Sequence, residues 1–144
     1  LPERLAAARA LGAETLPAGE GLMPAVLDAT KGEGAPVVIE ATGNPQAMEA
    51  TVDLVAAGGR IVIVGLVKQG VTVTLPALDF TRKEMTVLGS RASVNCFPEA
   101  LDLLARGAIT YPAVATSFDL WEAPQVFARL AAEPSAVHKG VLLA

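Results

Sequence analysis

The chain has 144 residues, 52% of them hydrophobic, and a formal net charge of −4. This length suits one domain with a substantial core, and the acidic balance argues against nucleic acid as the main partner. The longest apolar stretch, about Ile61–Val67, is too short to span a membrane. The first residues, LPERLAAARA, lack the pattern of a signal peptide. The single cysteine favours a reducing, cytoplasmic compartment.

Two helices are predicted first in chain order. Pro2–Leu11 has the pattern of an amphipathic helix that Gly12 ends, and Leu22–Thr30 predicts a second helix. Between them, Gly19-Glu20-Gly21 is the nearest approach to the G-x-G-x-x-G loop of dinucleotide-binding domains. Pro24 stands where the third glycine belongs, and no clear strand precedes the segment. The sequence therefore predicts a turn there.

The letters PVVIEATGNPQAMEATVDLVAAGGRIVIVG predict a β-α-β unit. The β-branched run Val37–Ile39 suits a strand buried on both faces. Asn44 and Pro45 favour the start of a helix, which Gly58-Gly59 is expected to end before a second buried strand, Ile61–Val64. Such crossovers build doubly wound nucleotide-binding folds, which bind ligands at the carboxyl ends of their strands.

The remaining elements continue the alternation of strands and helices. They are a strand at Val71–Leu75, a helical turn within Asp79–Lys83, a strand at Met85–Leu88, a helix at Pro98–Arg106, an extended segment at Thr116–Leu120, a helix at Trp121–Ala132 and a strand at His138–Leu143. This rhythm predicts an α/β fold with a mainly parallel sheet. We expect an incomplete Rossmann-like, doubly wound parallel sheet that lacks the first strands and the glycine-rich loop.

The order of these segments resembles the C-terminal part of the medium-chain dehydrogenases. The segments that carry the resemblance are PERLAAARALGA, EATG, GGRIVIVG, KEMTVLGSR, FPEALDLLARG, FDLWEAPQVFARL and HKGVLLA. They are most similar to the zinc-dependent alcohol, polyol and sugar-acid dehydrogenases. The resemblance implies that residues 1–107 are part of a nucleotide-binding domain and that residues 108–144 return toward a catalytic domain. It also implies that the catalytic domain and the first two Rossmann strands are absent here.

Ten residues match positions that contact the nicotinamide cofactor in the family. They are Arg4 near the adenine-side ribose, Thr42 and Gly43 along the ribose side, Val64, Gly65, Leu66, Gly89, Ser90 and Arg91 at the nicotinamide, and Lys139 at the pyrophosphate. An ordinary surface charge is the alternative interpretation for Arg4, Arg91 and Lys139. Glycine at position 65 would let a flat ring approach closely, so a valine there is expected to reduce cofactor affinity more than stability.

The catalytic zinc of the family needs three protein ligands, and this chain has one cysteine and one histidine. Cys96 is interpreted as a small packing residue, and His138 as a surface or partly packed residue. We therefore expect no catalytic residue and no metal ligand in this chain, with zinc bound only in the longer parent protein. Glu40, a carboxylate in a buried strand, is expected to have a structural hydrogen-bonding role.

The resemblance implies a C-terminal cofactor-binding fragment of an oxidoreductase that transfers hydride between NAD and a secondary alcohol, with NADP as the open alternative. The segment Ser90–Pro98 favours a polyol or a sugar acid. A zinc-free quinone or enoyl reductase and a non-enzymatic assembly module remain rival hypotheses. We expect the chain alone to be inactive, and the parent to act on a small alcohol or ketone without nucleic acid or membrane partners. A homodimer through Val71–Leu88 and an open sheet edge at Val37–Ala41 are also expected.

Overall fold

A computed structural model describes residues 1–109, 115–133, 137 and 139–144. The chain is α/β with parallel strands, as predicted. It divides into two compact units, one formed by Ala18–Ser93 and the other by Leu1–Pro17 together with Val94–Ala144. The expected domain boundary at residue 107 concerns the complete family protein and stays a prediction.

The helices and strands alternate as the sequence indicates. The helices are α1 (Pro2–Ala10), α2 (Leu22–Ala29), α3 (Pro45–Leu54), α4 (Ala77–Lys83), α5 (Phe97–Ala105) and α6 (Ala123–Ala132), and the strands are β1 (Ala35–Glu40), β2 (Val55–Ile63), β3 (Thr86–Gly89), β4 (Ala115–Asp119) and β5 (Lys139–Leu143). A short 3-10 turn, Leu120–Glu122, joins β4 to α6. In the described ranges, no helix is long and apolar enough to cross a membrane.

The unit Ala18–Ser93 is built on a parallel sheet with the strand order β1-β2-β3. Because apolar residues alternate along these strands, Val38, Ile61 and Ile63 turn toward a core made with α3. Val52 and Val55 complete that core together with Met85. The opposite face of β1 carries Val37 and Ile39, which are 52% and 65% exposed. The expectation that both faces of this strand are buried is therefore wrong for the described chain.

Helix α3 ends earlier than its sequence pattern predicts. It stops at Leu54, and β2 begins at Val55, so Gly58-Gly59 lies inside a strand instead of ending a helix. The pairing with β1 jumps from Ala35–Val55 to Val37–Arg60, so the glycines belong to a bulge. Gly58 has a φ of +70°, which glycine adopts without strain. The bulge, and not the helix end, is what requires the glycine pair.

Val71–Leu75 lies in the described range 1–109 and is not a strand, which corrects the prediction from its alternating pattern. Two contacts connect this segment to the rest of the unit. The backbone N–H of Thr74 donates to the Glu49 carboxylate at 2.7 Å, and Leu75 packs against the core of the unit. Val71 and Val73 stay exposed, so the alternation does not mark a half-buried strand.

The unit Leu1–Pro17 with Val94–Ala144 contains the parallel pair β4–β5. Helix α6 contacts β4 and buries Val126, while Val137 is buried just before β5. The predicted final strand is confirmed for Lys139–Leu143. The prediction for His138 falls on a residue outside the described ranges. The guanidinium of Arg4 donates to the carbonyl of Val137 at 3.3 Å.

Candidate cofactor site

The carboxyl ends of β1, β2 and β3 lie side by side along one edge of the sheet. Glu40 is in register with Ile63, and Ile63 is in register with Gly89. The Ser90 N–H donates to the Ile63 carbonyl at 2.9 Å, which extends the pairing past the end of β3. Ligands of parallel α/β sheets bind at such an edge. We call the segments 42–43, 64–66 and 89–91 together the strand-end edge.

A buried carboxylate organises the first segment of the strand-end edge. Glu40 is 4% exposed, and its Oε1 accepts the backbone N–H groups of Thr42 at 2.7 Å and Gly43 at 3.1 Å. The same oxygen accepts the hydroxyl of Thr42. A buried carboxylate needs such partners because its desolvation is otherwise costly. The predicted structural hydrogen-bonding role of Glu40 is confirmed.

The hydrogen bonds continue from Thr42 into helix α3. The Asn44 N–H donates to the Thr42 hydroxyl at 3.1 Å, and the Asn44 side chain accepts the Ala47 N–H at 3.1 Å. Asn44 is therefore the N-cap that its position before Pro45 predicts. One continuous chain of hydrogen bonds links the buried Glu40 carboxylate to the first turn of α3.

Gly43 and Gly65 allow the first two segments to approach each other closely. The N–H groups of Val64 and Gly65 both donate to the Glu40 carbonyl, at 2.8 and 3.0 Å. A Cβ on Gly65 would overlap the backbone nitrogen of Gly43 and the Glu40 carboxylate, and would lie 2.8 Å from the Gly43 Cα. Gly43 has a φ of +69°, and a Cβ there would overlap the Leu66 carbonyl. A side chain at position 65 would therefore meet protein atoms, so the fold itself requires glycine there, while the contact of Gly65 with the nicotinamide stays a prediction.

The other residues that are predicted to contact the nicotinamide remain open to solvent. Val64 is 45% exposed and Leu66 is 73% exposed, and Gly89, Ser90 and Arg91 are exposed as well. Unlike Gly65, Gly89 has no described atom within 4 Å of a Cβ built on it. These five residues therefore present backbone and side-chain atoms that a ligand could contact.

A largely apolar depression of about 550 Å³ lies beside the Thr42 turn. It is lined by Ala18, Gly19, Leu22, Thr42, Asn44, Gln46, Ala47 and Ala50. Its size falls within the range of roughly 300–1,000 Å³ typical of small-molecule sites. Sequence reasoning identified Thr42 but missed the rest of this lining. The available signal was the spacing of Ala47 and Ala50, which places two small residues on one face of α3.

Two of the three basic residues expected at the cofactor, Arg4 and Lys139, belong to the other compact unit. The Arg4 guanidinium contacts the carbonyl of Val137, two residues before Lys139 in sequence. Lys139 begins β5 and is exposed. The structure thus brings Arg4 to the segment that leads into β5. The cofactor roles of both residues stay predictions.

The described residues contain no group of three His, Cys, Asp or Glu side chains that could hold a metal ion. Cys96 is exposed, and its thiol donates to the carbonyl of Val94 at 3.4 Å. It therefore does not pack in a core, which corrects the prediction made for it. The cysteine lies at the N-terminal end of α5 and makes no side-chain capping bond there.

A parallel sheet with a strand-end edge of this kind defines a Rossmann-like α/β protein. Residues 1–106 match the family model described as zinc-binding dehydrogenase. Because this match covers most of the 144 residues, the chain belongs to the zinc-binding dehydrogenase family.

Individual relatives agree with this assignment. L-galactonate-5-dehydrogenase of Escherichia coli (strain K12) is 45% identical over 74 residues, which are 51% of this chain and 21% of that protein. An alcohol dehydrogenase from Thermus sp. ATN1 has a solved structure similar to this chain, with a TM-score of 0.87 and 28% identity, over 99% of this chain and 41% of that one.

A second solved structure, described as a zinc-binding dehydrogenase from Sinorhizobium meliloti 1021 bound to NADP, has a TM-score of 0.68 and 30% identity. The match covers 78% of this chain and 32% of the chain in that structure. The matched part is thus less than half the length of each of the three proteins.

Proposed function

We propose that this chain is the C-terminal cofactor-binding part of a longer oxidoreductase, which transfers hydride between a nicotinamide cofactor and a secondary alcohol. The observation that carries the proposal is the strand-end edge, where the segments 42–43, 64–66 and 89–91 follow neighbouring parallel strands and Thr42 also lines an apolar depression. Family membership supports dehydrogenase chemistry. The relative that acts on L-galactonate supports a polyol or sugar acid as substrate.

The proposed cofactor is NAD, with NADP as the alternative that the NADP-bound relative represents. The depression and the strand-end edge suit a flat base and a ribose. The sequence lacks the usual binding element for the pyrophosphate, because it has no G-x-G-x-x-G loop that would place a helix N-terminus against this group. The described residues fit no zinc site, so zinc is assigned to other parts of the longer protein.

We further propose that residues 108–144 of the longer protein contact its catalytic domain. A largely apolar depression of about 640 Å³ at the ends of β4 and β5 supports this assignment. Leu120, Trp121 and Leu143 line it, and all three are more than half exposed. Apolar side chains grouped in this way are typical of a surface that another domain covers.

The single, exposed cysteine supports the cytoplasm as the location.

The test compares the longer protein with residues 1–144 alone. With zinc, NAD and a panel of polyols and sugar acids, we expect NADH absorbance to rise only with the longer protein. Residues 1–144 should show no turnover and little NAD affinity, because the loop that would hold the pyrophosphate is absent from the sequence. Turnover by residues 1–144 would contradict the fragment assignment, and a longer protein that binds no nicotinamide cofactor would contradict the function.

A further inference from the structure

Glu40 fixes two of the three segments of the strand-end edge and is itself almost fully buried. Its side chain holds Thr42 and Gly43, and its backbone carbonyl accepts the N–H groups of Val64 and Gly65. Glu40 is only 4% exposed, and its carboxylate accepts hydrogen bonds from these protein groups. Any effect of Glu40 on a bound cofactor must therefore pass through the residues that it holds.

Thr42 is the residue through which this effect would pass. Its hydroxyl proton is donated to Glu40, and its oxygen accepts the Asn44 N–H at 3.1 Å. A hydroxyl has one donor and two acceptor lone pairs, so one lone pair is left for a ligand. Thr42 can then accept a hydrogen bond from a ligand but cannot donate one. A ribose hydroxyl satisfies this requirement, whereas a phosphate oxygen, which only accepts, does not.

We propose that Glu40 is a positioning residue for cofactor binding, which holds the Thr42 hydroxyl as the acceptor for a ribose hydroxyl of the dinucleotide. This inference rests on the proposed function, and it adds to that function a residue that sequence matching did not place at the cofactor. Charge-assisted hydrogen bonds are roughly twice as strong as neutral ones, which is why a carboxylate and not an amide suits the role.

The NAD affinity of the longer protein, measured in three single variants, one double variant and one control, tests the inference. Glu40→Gln keeps the shape but weakens the hold on Thr42, and Thr42→Val removes the hydroxyl, so each should raise the NAD dissociation constant roughly tenfold. Thr42→Ser keeps the hydroxyl and should bind like the wild type. The double variant should be no weaker than its weaker single parent, because residues that act in one chain of hydrogen bonds are not additive. Glu49→Gln is the matched control, because Glu49 binds Thr74 instead.

Amide hydrogen exchange on residues 1–144 gives a readout that needs no cofactor. In Glu40→Gln, the amides of Thr42 and Gly43 should exchange at least several-fold faster, while the β2 amide of Ile61 keeps its rate. In Thr42→Val, the Asn44 amide should exchange faster. This variant also keeps the inference testable if Glu40→Gln fails to fold.

The outcomes separate the two proposals. A wild-type longer protein that binds neither NAD nor NADP overturns the proposed function and the role of Glu40 with it. A wild type that binds NAD overturns the role of Glu40 alone in either of two cases: Glu40→Gln binds equally well, or the effects of Glu40→Gln and Thr42→Val simply add. Unchanged exchange at Thr42 and Gly43 in Glu40→Gln likewise overturns it.

Discussion

Gly65 and Gly89 end neighbouring strands, yet they differ in what a side chain would meet. A Cβ on Gly65 overlaps the Gly43 backbone and the Glu40 carboxylate, whereas the space around a Cβ on Gly89 is free of described atoms out to 4 Å. Overpacking of this kind typically costs about 1–3 kcal/mol. We expect Gly65→Ala to lower the melting temperature of residues 1–144 by several degrees.

Gly89→Val is the matched counterpart of that change. It adds volume at the same edge of the sheet, and its Cβ has no described protein atom within 4 Å outside its chain neighbours, so its effect on stability should stay within about 0.5 kcal/mol. If the nicotinamide lies against Gly89 in the longer protein, the NAD dissociation constant should rise about tenfold or more. An unchanged NAD affinity in Gly89→Val would remove Gly89 from the cofactor site.

At the scale of elements, Lys83 binds the chain where α3 ends. Its ammonium group, reaching from α4, donates to the carbonyls of Val52 at 2.6 Å and Val55 at 3.0 Å. The Val52 carbonyl is one of the last four of α3, which have no partner within the helix. Hydrogen bonds to charged groups contribute about 1.5–3 kcal/mol each. Lys83→Met should therefore lower the free energy of unfolding by about 1–3 kcal/mol in a urea titration.

Arg82→Met is the control for Lys83→Met, because Arg82 is the exposed neighbour on the same helix. Its unfolding free energy should remain within about 0.5 kcal/mol of the wild type. Equal losses in the two variants would show that α4 depends on its general charge and not on the bonds from Lys83 to α3.

Hydrophobic periodicity was enough to predict most elements, because α2, α3 and the paired strands each follow a local pattern. It failed at the end of α3 and at Val71–Leu75, where contacts distant in sequence decide the conformation. Lys83 reaches Val52 across 31 positions, and Glu49 reaches Thr74 across 25. The candidate site also has one part that the sequence could predict and one part that depends on contacts distant in sequence. Thr42 and Gly43 were located by resemblance, but the apolar depression exists only once α2 and α3 lie beside β1.

At the scale of the whole molecule, the exposed edge strand β3 supports the prediction of a homodimer. β3 is an edge strand of the described sheet, and its Val87 and Leu88 are 36% and 44% exposed. Val73 is exposed at 36% as well. Unpaired strand edges with apolar side chains favour pairing with another chain. We propose the homodimer through Val71–Leu88 on this basis.

Val73→Lys tests the dimer without disturbing the monomer, because Val73 is exposed and is not a member of the core. At tens of micromolar, roughly where a modest interface still holds, sedimentation should show a wild-type dimer and a Val73→Lys monomer. At concentrations low enough for both proteins to be monomers, their melting temperatures should be the same. Thr72→Lys adds the same charge at the neighbouring exposed position, and should leave most of the dimer intact because it keeps the apolar side chain of Val73. A wild-type monomer at this concentration would rule out the Val71–Leu88 interface. Equal dissociation by both lysines would instead indicate that net charge, and not the Val73 side of the segment, controls association.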